Sequence, residues 1–509
     1  MAALAPDRAL VFIGFMGAGK SAAAREVAAA LGVRALDSDR MLEDRLGCTV
    51  EEAFARHGEA GFRAQEERLC TELLGRARAG DVISLGGGAI LSEATRTALA
   101  RHTTVLVDVD VETAWSRAAG RGRPLARERA AFEALYASRE SLYLALADAI
   151  LPARERGTAR RALPWLLELA EGVRLLWGTA RSASYPVLIG RRALQARPWP
   201  AAGRRFVISD EAVAGVHGAR IGEAAARLAM SPGEEHKTLA VFERLQRELA
   251  RAGAGRDDHI VALGGGVVGD VAGFCAATYQ RGIPVVQVPT TLVAQVDSAY
   301  GGKTGVDLPE GKNYVGAYHQ PAGVLVDVGL LETLPATERA AGRAEVVKTA
   351  LIAGGRLWDR VAAGHFDDED VVLDCARTKL AVVAADERDG GRRQVLNLGH
   401  TIGHALETAT GYGTLRHGEA VGLGLLAALR LSGLGDLRGQ VRELLVTAGL
   451  PVTLPGDVDR AAVLAVMQRD KKRVGATVPF VLVHAPGDVR HGQIVDPDVV
   501  RAAVEELVA

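Results

Sequence analysis

Short apolar runs alternate with longer stretches of helical spacing along most of the chain. Residues 9–15 (ALVFIGF) form such a run, which leads through a glycine-rich turn into an alanine-rich helical stretch. The same order of apolar run, turn and helical stretch returns at residues 81–88, 205–210 and 259–270. Runs of this length without polar alternation are typical of parallel strands buried on both faces. The pattern therefore predicts an α/β fold built on parallel sheets.

The chain is too long for a single hydrophobic core. Its 509 residues favour two or three domains. The helical pattern that ends the first part breaks around residues 172–184, and a new apolar run begins at Tyr185. We therefore place a domain boundary near residue 172.

Composition narrows the class of protein. Hydrophobic residues make up 48% of the chain, and Lys and Arg (61) nearly balance Asp and Glu (62), so that the net charge is −1. This balance gives no electrostatic reason to expect nucleic acid or an anionic membrane as a partner. No apolar run is long enough to span a bilayer, and the first run, rich in glycine, does not resemble a signal peptide. The four scattered cysteines indicate reduced thiols, so we expect a cytoplasmic protein.

A phosphate-binding loop follows the first predicted strand. Residues 14–21 (GFMGAGKS) fit the pattern GxxxxGK[ST], with an apolar run before it and a helical stretch after it. Gly17 and Gly19 would free backbone N–H groups to surround a phosphate. Lys20 would reach the β- and γ-phosphates, and Ser21 would hold Mg²⁺. The sequence therefore predicts an ATP site in the first part of the chain.

Charged residues at predicted strand ends and loops accompany this loop. Asp37 and Asp39 follow a short apolar run and are predicted to lie on the same face of a strand end. Arg63 and Glu66 are spaced to share a helical face. Residues 86–88 are three glycines after another apolar run, and basic residues recur near residues 121–139. One arginine alone is most often a solvated surface charge, but a set at strand ends is harder to explain in that way.

These motifs, in this order over about residues 8–165, resemble shikimate kinase. The resemblance implies that Asp39, Arg63, Gly87 and Arg139 bind shikimate, the two arginines holding its carboxylate. It implies that Asp37 lies near Mg²⁺, directly or through water. Arg123 would belong to a closing lid and stabilise the transferring phosphoryl group, since phosphoryl transfer depends mainly on positioning and charge neutralisation.

Three histidines mark the last part of the chain. His400 and His404 are spaced to share one face of a helix, and His417 follows a Gly-Tyr-Gly turn. In the sequence AEVVK, Glu345 and Lys348 are also spaced for one helical face. One Glu with two His is a catalytic zinc set that leaves room for substrate oxygens. The spacing leaves open which two histidines bind the metal.

Glycine-rich turns and lysines between these two parts indicate an anionic pocket. Residues 264–270 (GGGVVGD) precede a helical stretch and would let a pyrophosphate approach the backbone, although they do not match GxGxxG. Thr290 and Thr291 offer hydroxyls after a strand, and Lys303 and Lys312 lie in glycine-rich loops. Lysines beside a flexible backbone favour an anionic substrate.

Residues 180–490, approximately, resemble 3-dehydroquinate synthase through PGEEHKT, GGGVVGD, PTTLVAQVDS, GGKTGV, GKN, AEVVK, LNLGHTIGHALE, HGEAV and DKK. The resemblance implies that Glu345, His400 and His417 bind Zn²⁺ or Co²⁺, that His404 lies near the substrate phosphate, and that Lys348 and Asp297 assist proton and hydroxyl placement. The implied NAD-contacting residues are Glu234, Lys237, Gly265, Gly266, Gly269, Asp270, Thr290, Thr291, Lys303, Lys312 and Thr333. The implied substrate-binding residues are Arg281, Asn313, Lys379, Arg393, Asn397 and Lys472.

Arg281 is expected to reach in from a second subunit, so the resemblance also implies a homodimer formed by the synthase part. Two positions depart from the family's usual pattern. Asp389 stands where many members have Glu, and Asp307 stands where many have Asn.

Together the resemblances imply a bifunctional enzyme of the shikimate pathway. One part would convert 3-deoxy-D-arabino-heptulosonate 7-phosphate to 3-dehydroquinate with elimination of phosphate, and the other would phosphorylate shikimate with ATP and Mg²⁺. We expect a P-loop kinase domain at 1–172, a Rossmann-like α/β NAD-binding domain at 173–328 and a mainly α-helical metal-binding domain at 329–509.

The alternatives are of three kinds. In the first the second part is a related sugar-phosphate cyclase, such as 2-deoxy-scyllo-inosose synthase, and in the second the first part is a P-loop kinase for gluconate. In the third alternative the first part is a non-catalytic nucleotide-binding regulator. The intact set of Lys20, Ser21, Asp39 and Arg63 argues against this last interpretation.

Overall fold

The computed structural model describes residues 8–119, 126, 128–195, 199–411, 414–456, 458–468 and 478–507. The chain forms two compact units. The first comprises Met1–Trp177 and Pro186–Trp199, and the second comprises Gly178–Tyr185 and Pro200–Ala509. The domain boundaries that we place at 172/173 and 328/329 stay predictions. Among the described residues, no helix is long and apolar enough to cross a membrane.

The first unit is built on a sheet in which strands β1 to β6 pair in parallel. Its strands are β1 (Leu10–Ile13), β2 (Ala35–Asp37), β3 (Val82–Ser84), β4 (Thr103–Asp108), β5 (Ala149–Pro152) and most of β6 (Arg174–Thr179) and β7 (Ser184–Ile189). Its helices are α1 (Lys20–Leu31), α2 (Ser38–Leu46), α3 (Val50–Arg76), α4 (Glu93–Leu99), α5 (Val111–Ala118), α6 (Arg129–Leu146) and α7 (Thr158–Leu167). The strand order is β2-β3-β1-β4-β5-β6-β7.

The central strands explain why the predicted phosphate loop lies at one edge of this sheet. β1 pairs in parallel with both β3 and β4, and all four of its residues are buried. Since parallel strands end at the same edge, the loops after β1, β2 and β3 lie together there. The observed strand is shorter than the apolar run of residues 9–15, because the chain already turns at Gly14 (φ 144°).

The second unit combines a parallel sheet, two hairpins and a helical part. Its strands are β8 (Arg205–Asp210), β9 (Ala226–Met230), β10 (His259–Gly264), β11 (Val285–Pro289), β12 (Lys303–Leu308), β13 (Gly311–Tyr318), β14 (Gly323–Val326), β15 (Phe480–Ala485) and β16 (Asp488–Gln493). Its helices are α8 (Glu211–His217), α9 (Leu239–Arg251), α10 (Gly266–Thr278), α11 (Ala336–Ala353), α12 (Gly355–Ala362), α13 (Glu369–Ala385), α14 (His400–Ala409), α15 (His417–Leu431), α16 (Gly435–Thr447), α17 (Arg460–Gln468) and α18 (Pro497–Glu505).

The parallel strands of this unit run in the order β14-β11-β10-β8-β9, and their pairing confirms the predicted α/β fold. Leu245 and Leu249 on α9 are fully buried in a core with Phe206 and Ile260 from the sheet. Each such side chain contributes roughly 1.5–3 kcal/mol relative to an exposed one. β12 pairs with β13, and β15 with β16, as antiparallel hairpins.

A short π-helix, Ala294–Ser298, follows β11 and carries Asp297. Gln295, which is fully buried, donates its amide to the carbonyls of Pro289 and Asp327, and Tyr300 donates its hydroxyl to the carbonyl of Gln295 (2.6 Å). These bonds hold an otherwise irregular turn of backbone in one conformation. π-Helical turns are rare and are often found at functional sites.

Candidate active sites

The phosphate loop of the first unit has the backbone that an anion site requires. Gly17 and Gly19 adopt φ of 80° and 95°, a region that glycine enters without a steric cost. Gly19 is the N-cap of α1, so the first N–H groups of that helix face the loop. Lys20 Nζ donates to the Phe15 carbonyl (3.2 Å), and Ser21 Oγ lies 3.4 Å from Ser84 Oγ.

The three glycines at 86–88 lie against the charged residues that the sequence singles out. A Cβ added at Gly86 would overlap the Asp39 carboxylate, and one at Gly88 would overlap the Arg63 guanidinium. A Cβ at Gly87 would lie 3.8 Å from Lys20 Nζ. The structure therefore brings Asp39, Arg63, Gly87 and Lys20 together beside the phosphate loop.

Asp37 and Asp39 do not share a strand face, and that prediction is wrong. β2 ends at Asp37, whose side chain accepts the backbone N–H groups of Asp39 (3.2 Å) and Arg40 (3.4 Å) as the N-cap of α2. Asp39 therefore belongs to the first turn of a helix. The Asp37 carboxylate at the N-cap favours a helix over a longer strand here, because it accepts N–H groups that the first turn of a helix leaves unpaired.

Two arginines form the cationic side of this site. Arg63 Nη1 donates to Glu66 (2.6 Å), as their helical spacing predicts. Arg139 is buried, and its burial lowers the pKa of its guanidinium, although Tyr143 opposes this and Arg63 adds to it. Tyr143 donates its hydroxyl to the Gly87 carbonyl. A buried guanidinium that a second one repels favours an anionic ligand. Arg123 lies outside the described residues.

In the second unit, Lys237 is the centre of a polar cluster at the carboxyl end of the sheet. Its buried Nζ donates to Asp270 (2.6 Å) and to Asn313 Oδ1 (2.6 Å), and it lies 3.9 Å from Glu234. Lys312 Nζ lies 3.7 Å from the same Glu234 oxygen. Burial lowers the pKa of Lys237, but the Asp270 carboxylate, followed by Glu234, outweighs it and raises that pKa. Burial raises the pKa of the Asp270 carboxyl, with Lys237 opposing it. The cluster thus holds its charged and polar side chains in place beside the glycines that open α10.

Glu345, His400 and His417 converge, although they come from three helices. His417 Nε2 lies 3.2 Å from Glu345 Oε1, and His400 Nε2 lies 3.5 Å from the same oxygen. One ligand atom from each of the three residues lies within 4.8 Å of the others. We call this set the Glu345 cluster. Both Glu345 oxygens are buried and form ion-pair contacts but lack hydrogen bonds of ordinary geometry, so the carboxylate could accept a metal.

Electrostatics prepares these three groups as ligands. Burial lowers the pKa of His400 well below its ordinary value, which keeps its imidazole neutral although Glu345 opposes this. Burial raises the pKa of Glu345, but Lys348, followed by the two imidazoles, outweighs burial and lowers that pKa well below the ordinary value. Partial burial opposes protonation of His417, yet its contacts with the Glu345 and Glu407 carboxylates raise its pKa to about 10. A metal would have to displace that proton.

Next to the Glu345 cluster, buried acidic and basic side chains alternate in a row of ion pairs. Asp297 accepts from Lys348 Nζ (3.1 Å) and from Lys379, and Lys348 also contacts Glu345. Burial would raise the pKa of Asp297, but the two ammonium groups, that of Lys348 first, lower it to about 2. Asp297 is therefore an ionised proton acceptor next to two ammonium donors, inside a site that excludes most water.

Comparisons with known proteins agree with this geometry. Residues 227–341 match the family model for the 3-dehydroquinate synthase N-terminal part, residues 342–473 match that for its C-terminal part, and residues 16–166 match that for shikimate kinase. The chain is 44% identical over 336 residues to a 3-dehydroquinate synthase of Halorhodospira halophila, which covers 62% of this chain and 94% of that protein. The chain belongs to the 3-dehydroquinate synthase family.

Solved structures show the same fold for this part. A 2-deoxy-scyllo-inosose synthase complexed with carbaglucose-6-phosphate, NAD+ and Co2+ superposes with a TM-score of 0.60 at 26% identity, over 66% of this chain and 100% of that one. A 2-epi-5-epi-valiolone synthase from Streptomyces hygroscopicus subsp. jinggangensis 5008, with NAD+ and Zn2+ bound, gives 0.59 at 25% identity, over 65% and 98%. With its shikimate kinase domain, the chain is a bifunctional enzyme of the shikimate pathway.

The remaining residues predicted for the synthase part lie at several places. Gly265 and Gly266 open α10, with Thr291 beside Gly265, and the buried Thr290 directly follows β11. Thr333 Oγ1 lies 2.7 Å from His217 Nε2. Arg393 is buried and donates to the carbonyls of Glu387 and Gly301. Lys472 lies outside the described residues. Of the others, Gly269 lies on α10, Lys303 on β12 and His404 on α14, and Asn397 ends a 3₁₀-helix (Arg392–Asn397) three residues before α14.

The two departures of this synthase from the usual pattern both form polar contacts. Asp389 adopts φ 62° and accepts from Lys303 Nζ (2.5 Å). Asp307 accepts the backbone N–H of Asn313 (2.7 Å), which itself adopts φ 56°. Asp389 thus positions Lys303, and Asp307 positions Asn313. Both of these neighbours are predicted to contact a ligand.

Sequence reasoning missed Glu407 as a site residue of the synthase. This carboxylate is buried, accepts from Lys312 Nζ (3.1 Å) and lies 3.3 Å from His417 Nδ1. The available signal was its position seven residues after His400, which places both on one face of α14. His404 does not join the Glu345 cluster. It is exposed and instead lies near Glu407 and His417.

Gly418 sets the distance between two helices that contribute to the Glu345 cluster. A Cβ at this position would overlap the Ala341 carbonyl of α11, the helix that carries Glu345. We expect Gly418→Ala to push the first turn of α15 away, costing about 1–3 kcal/mol of stability and weakening metal binding at the adjacent His417. Thermal unfolding and Zn²⁺ titration would measure both effects. Gly422→Ala is the matched control, since its Cβ would meet only Leu445 at 3.4 Å. Equal behaviour of the two variants would contradict this prediction.

Proposed function

We propose that the second unit converts 3-deoxy-D-arabino-heptulosonate 7-phosphate to 3-dehydroquinate and phosphate with NAD⁺ and a divalent metal, and that the first unit phosphorylates shikimate with Mg²⁺-ATP. The single observation that supports the first activity best is the Glu345 cluster beside Asp297, Lys348 and Lys379. A carboxylate and two imidazoles leave coordination positions open for substrate oxygens. Membership in the synthase family supports the same reaction.

The donor set fits the metal that the related structures contain. Zn²⁺ and Co²⁺ accept mixed nitrogen and oxygen ligands, and the buried Glu345 oxygens lack ordinary hydrogen bonds. Glu345, His400 and His417 would hold the ion. When bound, the metal supplies Lewis-acid polarisation of a substrate hydroxyl, and NAD⁺ supplies a reversible hydride acceptor, so that the net reaction is redox-neutral.

The residues around the cluster would position the substrate and move its protons. Asp297 is held ionised and can accept a proton at Oδ1 or Oδ2, while Lys348 Nζ can return one. The cations would bind the carboxylate and phosphate, since ammonium and guanidinium groups form charge-assisted hydrogen bonds with such oxygens. In this proposal the substrate-binding residues are Asn313, Lys379, Arg393, Asn397, Lys472 and His404, with Lys303 and Lys312 near both substrate and cofactor.

The nucleotide would lie across the glycines that open α10. Gly265, Gly266 and Gly269 leave room for a pyrophosphate at the helix N-terminus. Asp270, Glu234 and Lys237 would contact the ribose and phosphate groups, because they already lie together beside these glycines. Thr290, Thr291 and Thr333 would add hydroxyl contacts.

In the kinase unit, the phosphate loop would bind ATP with Lys20 on its phosphates, and Ser21 and Asp37 would hold Mg²⁺. When bound, Mg²⁺-ATP supplies the phosphoryl group. Arg63 and Arg139 would bind the shikimate carboxylate, and Asp39 would orient the attacking hydroxyl. The convergence of Asp39, Arg63 and Lys20 around the three glycines supports this assignment over a non-catalytic nucleotide-binding regulator.

Two further parts of the proposal concern assembly and compartment. Arg281 is exposed at the far end of α10 from Gly266, so within one chain it lies away from the glycines. This position supports a homodimer in which Arg281 reaches the partner's substrate. The four cysteines are free, which supports a reducing compartment such as the cytoplasm.

Phosphate release tests the synthase activity directly. We expect the purified chain to release phosphate from the heptulosonate phosphate only with NAD⁺ present, and to lose at least about a hundredfold in rate after metal removal by a chelator. Added Zn²⁺ or Co²⁺ should restore the rate. In the same sample, shikimate-dependent ATP consumption should not respond to NAD⁺. Phosphate release that ignored both NAD⁺ and chelator would contradict the proposal.

A further inference from the structure

His417 lies between two carboxylates. Its Nε2 faces Glu345 Oε1 (3.2 Å) and its Nδ1 faces Glu407 Oε2 (3.3 Å). Glu407 lies on α14, on the same face as His400. Glu407 is 3% exposed, so burying its carboxylate carries a desolvation cost that a surface carboxylate would not have.

We propose that Glu407 is a positioning residue for the metal site, which fixes His417 with its proton on Nδ1 and its Nε2 lone pair toward Glu345 and His400. This inference rests on the proposed function, because it concerns the metal that the Glu345 cluster would bind. A neutral imidazole has one N–H and one lone pair, and the hydrogen bond at one nitrogen decides which is which. Glu407 accepts at Nδ1, so Nε2 is left to bind the ion.

The position of His417 makes such a restraint necessary. It is the first residue of α15, and its side chain is 38% exposed, against 11% for His400. His400 is oriented in another way, since its Nδ1 lies 3.1 Å from the Leu398 carbonyl. Each imidazole therefore has an oxygen acceptor beside its Nδ1, a backbone carbonyl for His400 and the Glu407 carboxylate for His417. Both leave Nε2 directed at Glu345.

Lys312 holds the positioning carboxylate in turn. Its Nζ lies 3.1 Å from Glu407 Oε1, the oxygen that does not face His417. The same ammonium lies 3.7 Å from Glu234, which belongs to the polar cluster around Lys237. A chain of contacts thus joins the predicted NAD site to the metal ligand through Glu407.

His404, Glu407 and His417 also lie close enough together to suggest a second metal site. The Lys312 ammonium argues against it, because a dication at Glu407 would be adjacent to a positive charge. The Nδ1 proton of His417 would also have to leave. We therefore infer one ion per synthase unit, bound on the Nε2 side.

Metal affinity tests the inference without relying on turnover. The full chain, stripped by a chelator, is titrated with Zn²⁺ by calorimetry and with Co²⁺ by its visible absorption. Glu407→Gln is nearly isosteric and should weaken Zn²⁺ binding by about 10–100-fold, with an altered Co²⁺ spectrum. The reason is that an amide can donate its N–H to Nδ1, so that the proton of the His417 imidazole is no longer held on Nδ1. Glu407→Asp, which keeps the charge but withdraws the oxygen by one methylene, should also lose affinity and should retain part of the Co²⁺ spectrum.

Glu419→Gln is the matched control. Glu419 lies two residues after His417 on α15, but its carboxylate accepts the Arg416 backbone N–H (2.9 Å) instead of facing the imidazole. We expect wild-type affinity from it. Wild-type affinity and spectrum in Glu407→Gln would overturn the inference, as would a second Zn²⁺ per wild-type chain that excess Mg²⁺ does not displace. A wild-type chain that bound no Zn²⁺ at all would overturn the proposed function itself, and with it this inference.

Discussion

Replacing His417 by alanine is expected to abolish cyclisation while leaving kinase activity intact. The loss should be roughly a thousandfold or more in phosphate release, because a bound metal contributes several kcal/mol of charge stabilisation in the transition state. His417 contacts Glu345 and Glu407, so its removal opens the Glu345 cluster and leaves two buried carboxylates without their common partner. Phosphate release and shikimate-dependent ATP consumption, measured on one preparation, check both halves of the prediction.

Added metal is the control for this variant. A thousandfold excess of Zn²⁺ should restore little activity, since a missing ligand lowers affinity and also leaves the ion wrongly oriented. Equal loss of both activities would show unfolding of the whole chain, or that the two activities do not belong to separate units. Retained cyclisation would show that His417 does not bind the essential metal.

Replacing Lys20 by alanine should have the reverse effect. Lys20 Nζ donates to the Phe15 carbonyl of the loop at 3.2 Å, and it would turn to the β- and γ-phosphates of bound ATP. Removing one preorganised charge at a developing phosphoryl group typically costs about 10²–10³ in rate. We expect that loss in shikimate-dependent ATP consumption, with wild-type phosphate release from the heptulosonate phosphate.

Arg25→Ala is the matched control for Lys20. Arg25 is an exposed cation on the same helix, α1, outside the phosphate loop. It should leave both activities near wild type. A kinase rate in Lys20→Ala within a few-fold of wild type would contradict the assignment of this loop to ATP, and so would an equal loss in the Arg25 variant.

The parts of the two sites that depend on local spacing could be predicted from the sequence. The phosphate loop is a contiguous segment whose backbone follows from glycine and from the helix after it. The Arg63–Glu66 pair and the contact of Lys348 with Glu345 follow from helical spacing. These features need only the geometry of one element, so distant residues cannot alter them much.

The parts that depend on packing were harder to predict. Spacing places His400 and His404 on one helical face, but the structure brings His417 and not His404 beside Glu345 and His400, because α15 packs against α14 and α11. Glu407 was missed for the same reason, since its partner belongs to the next helix. Asp39 was assigned to a strand because a helix that begins at Ser38 depends on capping by the residue just before it.

Because the Glu345 cluster draws its three side chains from α11, α14 and α15, the metal site is not a portable motif. A peptide covering residues 397–419 would carry both imidazoles and Glu407, but it would lack the acid and the helix on which that acid is mounted. Transplanting the site into another scaffold therefore means transplanting the mutual arrangement of three helices. By contrast, a graft of the phosphate loop would move one uninterrupted segment, with only the close packing of Gly14 and Gly17 against the Val107 and Ala114 carbonyls to reproduce.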